Sequence, residues 1–330
     1  MKNDFEFIFP GVNNTGDYWS ENIIIGDVKV RQQTMASAVV GNLAVGVFGI
    51  GFPALQSGVF HGTFTEYRPL ADTMVAQGLI ESASYAIYID PSEGESMSPA
   101  TYPGGNLIFG GLNLDLFEGD LKTFRIVNSN NTTLAENPLD WNIVMTGLQI
   151  GEEGFEGKNL ADQKGTSIIF DIGTAFNVVP RPLFDSLESY FATATLDPTT
   201  GFYDIDCAQR QNQSNGITFS FTDTVDPNTT FSIHQSATES IWPAPLLITG
   251  ADPNTCVVAI GSFDVIYAGS YIENTFSALL GVPALKNMYM VHDLDNKQLS
   301  IAKAAPKPST EKIVPIPKGG VGAMNHVSGY

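Results

Sequence analysis

The apolar runs of this chain are short, and glycine, proline, asparagine or threonine interrupts each of them within a few residues. With 32 glycines and 19 prolines in 330 residues, the chain has what brief strands and tight turns need and little that sustains long helices. Charged residues make up only 15%, too few for the polar faces of many amphipathic helices. The expected fold class is all-β. The length permits two domains, each with its own core.

Charge narrows the partners. The formal net charge is −19, from 35 acidic against 16 basic residues. Nucleic acid and anionic lipid both require a basic patch, so neither is expected to bind. Two uses of the excess acid stay open: solubility of an exported protein, and tolerance of acid, where protonation relieves self-repulsion. No apolar run approaches the roughly 18 residues of a membrane span, and residues 1–7 lack the basic, apolar, small-residue order of a secretory leader. Asn13, Asn130, Asn131, Asn212 and Asn228 nevertheless stand in Asn-x-Ser/Thr sequons, which together favour export and glycosylation. Cys207 and Cys256 are compatible with one disulfide and equally with two buried thiols. His61, His234, His292 and His326 are scattered and read as surface or loop residues. There is no His-Glu-x-x-His, nucleophile elbow, P-loop or dinucleotide fingerprint. No metal and no cofactor is expected.

Along the chain, alternation at Phe5, Phe7 and Phe9, a turn over 10–16, and Trp19, Ile23 and Ile25 predict a β-hairpin with a long tip. A glycine-punctuated apolar stretch follows at 45–53. Residues 70–80 carry the clearest helical pattern, with Gly78 suited to its C-terminal end. Strands are expected at 84–89, 106–111, 141–150, 167–170, 217–221, 246–249 and 257–260, with a short helix at 181–191 after Pro180. The polar stretch 128–137 reads as a connection. Beyond Ala305, four prolines and no apolar period predict an extended or disordered tail. The expected division is 1–127, 128–305 and a tail, 306–330. Val47-Phe48-Gly49 and Leu279-Leu280-Gly281 form a weak internal echo.

The run Ser167-Ile168-Ile169-Phe170-Asp171-Ile172-Gly173-Thr174-Ala175-Phe176-Asn177-Val178-Val179-Pro180 resembles the second active-site loop of the pepsin-like aspartic endopeptidases. Asp-x-Gly-Thr alone is a weak signal; its order and flanks make it specific. Downstream, Leu279-Leu280-Gly281-Val282 leads into 283–293 and Ser300-Ile301-Ala302, similar to that family's closing stretch. Upstream, Gly46 to Phe52 resembles the family's N-lobe Gly-Ile-Leu-Gly-Leu-Gly-Phe, and Gln77-Gly78-Leu79-Ile80, residues 84–89, Leu107-Ile108-Phe109-Gly110-Gly111 and Phe117 to Leu121 resemble the fungal secreted subgroup, candidapepsin- and yapsin-like. The likeness runs in order over residues 5–303.

The resemblance implies a bilobal all-β fold and hydrolysis of peptide bonds at acid pH by an Asp-activated water. It implies Asp171 as a catalytic carboxylate, against the plain readings of a turn residue or N-cap. Phe9 falls where the flap tyrosine is expected, with Gly16 where the flap tip closes. Phe9, Gly173 and Thr174 are the implied substrate-binding residues. Cys207 and Cys256 stand in positions similar to the C-lobe disulfide. The implied partners are peptide or protein substrates, the implied location is extracellular or the cell wall, and a monomer is expected.

Several residues depart from the pattern. The first Asp-Thr-Gly of the family precedes the flap, and this chain starts at the flap. Asn14-Thr15-Gly16 does not replace it, since it carries an amide and is followed by Asp17-Tyr18. Ile172 lacks the hydroxyl that braces the two loops in the family, Phe9 the phenol, Ala175 a hydroxyl, and Val282 stands for an acid. Two carboxylates divide the general-base and general-acid work of this chemistry. The expectation is an N-terminally truncated member, its opening exon lost from the gene model, that is inactive as 330 residues. Alternatively it is a non-catalytic homologue that binds peptides or serves as a secreted wall protein, which the substitution at Ile172 favours.

Overall fold

A computed structural model of the protein describes residues 5–9, 12–42, 46–56, 66–91, 104–129, 131–154, 165–191, 193–267, 278–306, 310–324 and 327–329. Strand β1 (Phe5–Phe9) pairs antiparallel with β2 (Val12–Ile25), with Phe9 opposite Val12. Within the expected tip over 10–16, residues 12–16 are strand, and Gly16 sits opposite Phe5; residues 10 and 11 lie outside the described residues. A tight turn at Gly26 and Asp27, where Gly26 takes φ +57°, returns the chain as β3 (Val28–Gly41).

Helix α1 (Leu70–Ala76) starts after Pro69, whose carbonyl accepts from the Thr73 hydroxyl at 3.0 Å. It buries Leu70, Ala71 and Met74. Gly78, at φ +68°, stands just past its C-terminal end, as expected, and the Leu79 N–H folds back onto the Met74 carbonyl at 3.0 Å. Strands β4 (Ser84–Ile89), β5 (Gly105–Phe109), β6 (Gly111–Asn113) and β7 (Phe117–Arg125) complete the first part.

Next come β8 (Asn142–Ile150), β9 (Thr166–Phe170) and β10 (Asn177–Val179), then α2 (Arg181–Leu187). Strands β11 (Thr195–Asp197), β12 (Phe202–Asp206), β13 (Ile217–Thr222), β14 (Thr230–Gln235) and β15 (Ile241–Pro243) follow. The remainder are β16 (Thr255–Val258), β17 (Ile260–Ser262), β18 (Leu279–Leu280), β19 (Met288–Asp293), β20 (Gln298–Ala304) and β21 (Ile313–Pro315). The strand expected at 246–249 is not formed: a 3-10 turn at Ala244–Leu246 runs into further turn and bend over 247–249.

A seven-stranded sheet runs β14-β13-β8-β9-β18-β10-β17, and a five-stranded sheet runs β5-β4-β19-β20-β7. The second takes β4, β5 and β7 from the early chain and β19 and β20 from the late chain, so sequence-distant parts share one sheet. β13 shows the expected period of two: Ile217, Phe219 and Phe221 are fully buried while the residues between them are half-buried. β19 is buried along its whole length. Both sheets feed one hydrophobic cluster, in which Met145, Leu148, Phe219 and Phe221 meet Met290, Leu299 and Ile301.

Two expectations are corrected. His292, on β19, is 3% exposed and not a surface residue; Tyr85 stacks on it and Trp141 meets it edge-on. The tail is not free either, because β21 pairs with β6, and Ile316 and Val321 are buried. Those apolar side chains, with the Lys312 N–H donating to Asn113 Oδ1 at 3.0 Å, hold it to the five-stranded sheet's neighbourhood. Cys207 and Cys256 are joined in a disulfide with Cα atoms 5.0 Å apart. It closes the end of the β12–β16 ladder.

Candidate active site

Asp171 is the first residue after β9, and its position follows from strand packing. β18 lies between β9 and β10, parallel to the first and antiparallel to the second. The Asp171 N–H donates to the Leu280 carbonyl at 3.0 Å, which fixes where β9 ends. The chain then turns back within a few residues to reach β10. In that turn the Gly173 N–H donates to Asp171 Oδ1 at 2.8 Å, and the Thr174 hydroxyl donates to Oδ2 at 2.6 Å. Both carboxyl oxygens are thus held by the loop that carries them, with Asp171 half-buried at the surface.

The loop is braced from behind. The Val282 N–H donates to the Thr174 carbonyl at 2.9 Å, and the Gly281 N–H donates to Asn177 Oδ1 at 3.0 Å. Asn177 is fully buried and donates onward to Gln235 Oε1 at 3.0 Å. A Cβ on Gly281 would fall 2.2 Å from the Phe176 carbonyl oxygen and 2.5 Å from that of Thr174, so the close approach requires glycine.

Two titrating neighbours were not found from sequence. Tyr267 hydrogen-bonds Thr174; burial, and then the charge of Asp171, push its phenol up. Asp140 lies on the other side, just before β8. Burial pushes its carboxyl up to about 6, the charge of Asp171 adds to the rise, and a hydrogen bond with Ser129 opposes it. Ser129 Oγ also accepts from Asn142 Nδ2 at 3.1 Å. Nothing local in the sequence marks Asp140, because its closeness to the charge of Asp171 depends on the register between two separate strands.

Of the residues expected at the site, Gly173 and Thr174 are on Asp171. Phe9 ends β1, and its side chain lies outside the described residues. Ile172 points outward at 46% exposure. Among the sequons, Asn13, Asn131, Asn212 and Asn228 are exposed, and Asn130 lies outside the described residues. Among the described residues, no group of three His, Cys, Asp or Glu side chains is placed to hold a metal. No described helix is long and apolar enough to cross a membrane. An apolar cavity of about 490 Å³ lies elsewhere, between the three-stranded β1-β2-β3 sheet, residues 46–56 and α1, with Phe5, Tyr18, Met35, Phe48 and Phe52 on its wall. Neither Asp140 nor Asp171 lines it, so the carboxyl chemistry and the cavity are separate features.

Comparison with known proteins bears on this arrangement. A family model described as eukaryotic aspartyl protease matches residues 6–304. Aspartic proteinase MKC7 of Saccharomyces cerevisiae is 25% identical over 299 residues, covering 88% of this chain and 45% of its own. The probable aspartic-type endopeptidase opsB of Aspergillus fumigatus is 25% identical over 320 residues, covering 97% and 59%. Secreted aspartic protease 7 of Candida albicans is 25% identical over 320 residues, covering 90% and 48%. The chain spans about half the length of these curated relatives. The crystal structure of aspartic proteinase from Irpex lacteus superposes with a TM-score of 0.71 at 20% identity, covering 94% of this chain and 84% of the other. That likeness shows a shared fold.

Proposed function

This chain belongs to the eukaryotic aspartyl protease family and has its pepsin-like all-β fold; from that premise we propose that Asp171 is one of the two carboxylates of acid peptide hydrolysis. The observation that carries the reading is the held carboxylate. Both oxygens of Asp171 are fixed by Gly173 and Thr174 at the surface, on a loop that three strands position. A pre-oriented carboxylate is what activation of a water toward a peptide carbonyl requires. The substrates in this reading are extended peptide segments of proteins, which lie over Gly173 and Thr174.

Hydrolysis of this kind divides base and acid roles between two such loops. Within residues 1–330 the Asp-x-Gly-Thr sequence occurs once, at Asp171. The 330-residue chain by itself therefore binds peptide without cleaving it at a useful rate. In this reading the protein acts outside the cell or in the cell wall, with the exposed sequons glycosylated, a location that the name of one relative, secreted aspartic protease 7, supports. The divisions 1–127, 128–305 and 306–330 belong to the same reading.

A second reading rests on Ile172. Its outward apolar side chain offers no hydroxyl to brace a facing loop, which suits a homologue that binds peptides without cleaving them. Translating the DNA upstream of residue 1 and assaying the resulting protein at acid pH separates the two. Peptide cleavage that Asp171→Asn abolishes supports the hydrolase. A folded protein that binds peptide and leaves it intact supports the second reading.

A further inference from the structure

Asp171 does not stand alone on its strand pair. β8 and β9 run antiparallel with Asn142 opposite Ile169. The Phe170 N–H donates to the Trp141 carbonyl at 3.2 Å, which carries the ladder one residue beyond both strands. The next step of that register sets Asp140 opposite Asp171. Residues directly opposite in an antiparallel pair share a face, with Cβ atoms about 4.5–5.5 Å apart.

The two carboxyls meet unlike surroundings. Asp171 receives a backbone N–H on one oxygen and the Thr174 hydroxyl on the other. Asp140 instead is held by burial and has the Ser129 hydroxyl as its partner. Among the described residues, Asp171 is the charged group that bears on it. Ser129, and Asn142 that donates to it, are neutral, as is the Tyr267 phenol on the Thr174 side. Neighbouring carboxyls in unlike environments take opposite protonation states, and the neutral one becomes a donor.

We propose that Asp140 is a peptide-binding residue whose carboxyl O–H donates a hydrogen bond to the carbonyl of a peptide lying over Asp171. This rests on the peptide-binding reading of the Asp171 loop. No bond is made or broken. The proton stays on Asp140 while the peptide is bound, and its loss replaces a donor by a second negative charge. That burial holds the Asp140 proton to about 6 supports the same picture.

The test uses the 330-residue chain and an N-acetylated, C-amidated apolar hexapeptide. This probe has no titrating group, so any pH dependence belongs to the protein. Binding is followed through the amide signals of Gly173 and Thr174. In the wild type it weakens by roughly 2- to 10-fold between pH 5 and pH 7.5, as expected for loss of one neutral hydrogen bond. Asp140→Asn, whose amide donates at every pH, binds equally at both, and Asp140→Ala binds weakly at both. In parallel, carboxyl carbon NMR shows Asp140 titrating near 6 in the wild type and lower by roughly one pH unit in Asp171→Asn.

Binding by the wild type that does not vary with pH overturns the proposal and leaves the peptide-binding reading standing. Binding at no pH overturns both. An Asp140 midpoint at the ordinary 3.8, or one unmoved in Asp171→Asn, also overturns the proposal. Should Asp140→Ala fail to fold, Asp140→Asn decides alone, since a pH dependence that survives in it refutes the donor role.

Discussion

Replacing His292 with phenylalanine should make the protein markedly less sensitive to acid. The imidazole sits in β19 with the Tyr85 ring stacked on it at 4.7 Å and 13°, and the Trp141 ring edge-on at 4.8 Å. Its Nδ1 is buried without a hydrogen-bond partner among the described residues. Burial pushes the group down from 6.5 to about 3. Between those values the unfolded chain holds a proton that the folded chain does not, so stability falls as pH falls through 6.5. Each pH unit within that window costs up to about 1.4 kcal/mol, so going from pH 7.5 to 4.5 removes roughly 2–3 kcal/mol through this residue.

Phenylalanine keeps the ring stack and cannot be protonated. The raised carboxyls of Asp72, Asp140, Asp204 and Asp293 act in the opposite sense, because their folded states keep a proton longer. They are common to both proteins and cancel in the difference. The assay is urea unfolding of wild type and His292→Phe at both pH values. The variant should gain roughly 2–3 kcal/mol on the wild type on going to pH 4.5. A difference that stays constant with pH would refute the burial of a neutral imidazole at this position.

Further predictions follow from other contacts. Gly281→Ala pushes a methyl against the Phe176 and Thr174 carbonyl oxygens, so it should cost about 2 kcal/mol or more and disturb the Thr174 amide signal. Reducing the Cys207–Cys256 bond frees a loop with a separation of 49 residues, which on the chain-entropy model costs about 4 kcal/mol. Thiol titration of the unreduced, denatured protein should find no free thiol in the pair. Val39, Val40, Val47 and Phe48 are more than half exposed, Val39 at 72%. The chain should therefore associate as its concentration rises, and Val39→Lys with Val40→Lys should lower the apparent mass in sedimentation. An unaltered monomer across the concentration range would count against that surface being sticky.

The parts legible in the sequence are those whose signal is local. The alternation of Ile217, Phe219 and Phe221 fixes a strand whichever partner it finds, and Gly78 marks a helix end because few other residues adopt its φ. The Asp171 loop is legible for the same reason, since Gly173 and Thr174 reach back to Asp171 across two and three residues. β3 was missed because most of its residues are exposed, so polar and apolar side chains mix without a period. The tail was misread because its prolines conceal Ile316 and Val321, which are buried only against strands from elsewhere. His292 and Asp140 owe their character entirely to rings and carboxyls brought by other strands. No count along the chain reveals such neighbours before the register between strands is known.

The central claim is that Asp171 is a protease carboxylate that needs a second loop to work. Its most direct test incubates the purified 330-residue chain and its Asp171→Asn variant with denatured protein between pH 3 and 6. The account predicts that the two are indistinguishable and that neither releases peptides. Peptide release by the unmodified chain that disappears in Asp171→Asn would contradict it.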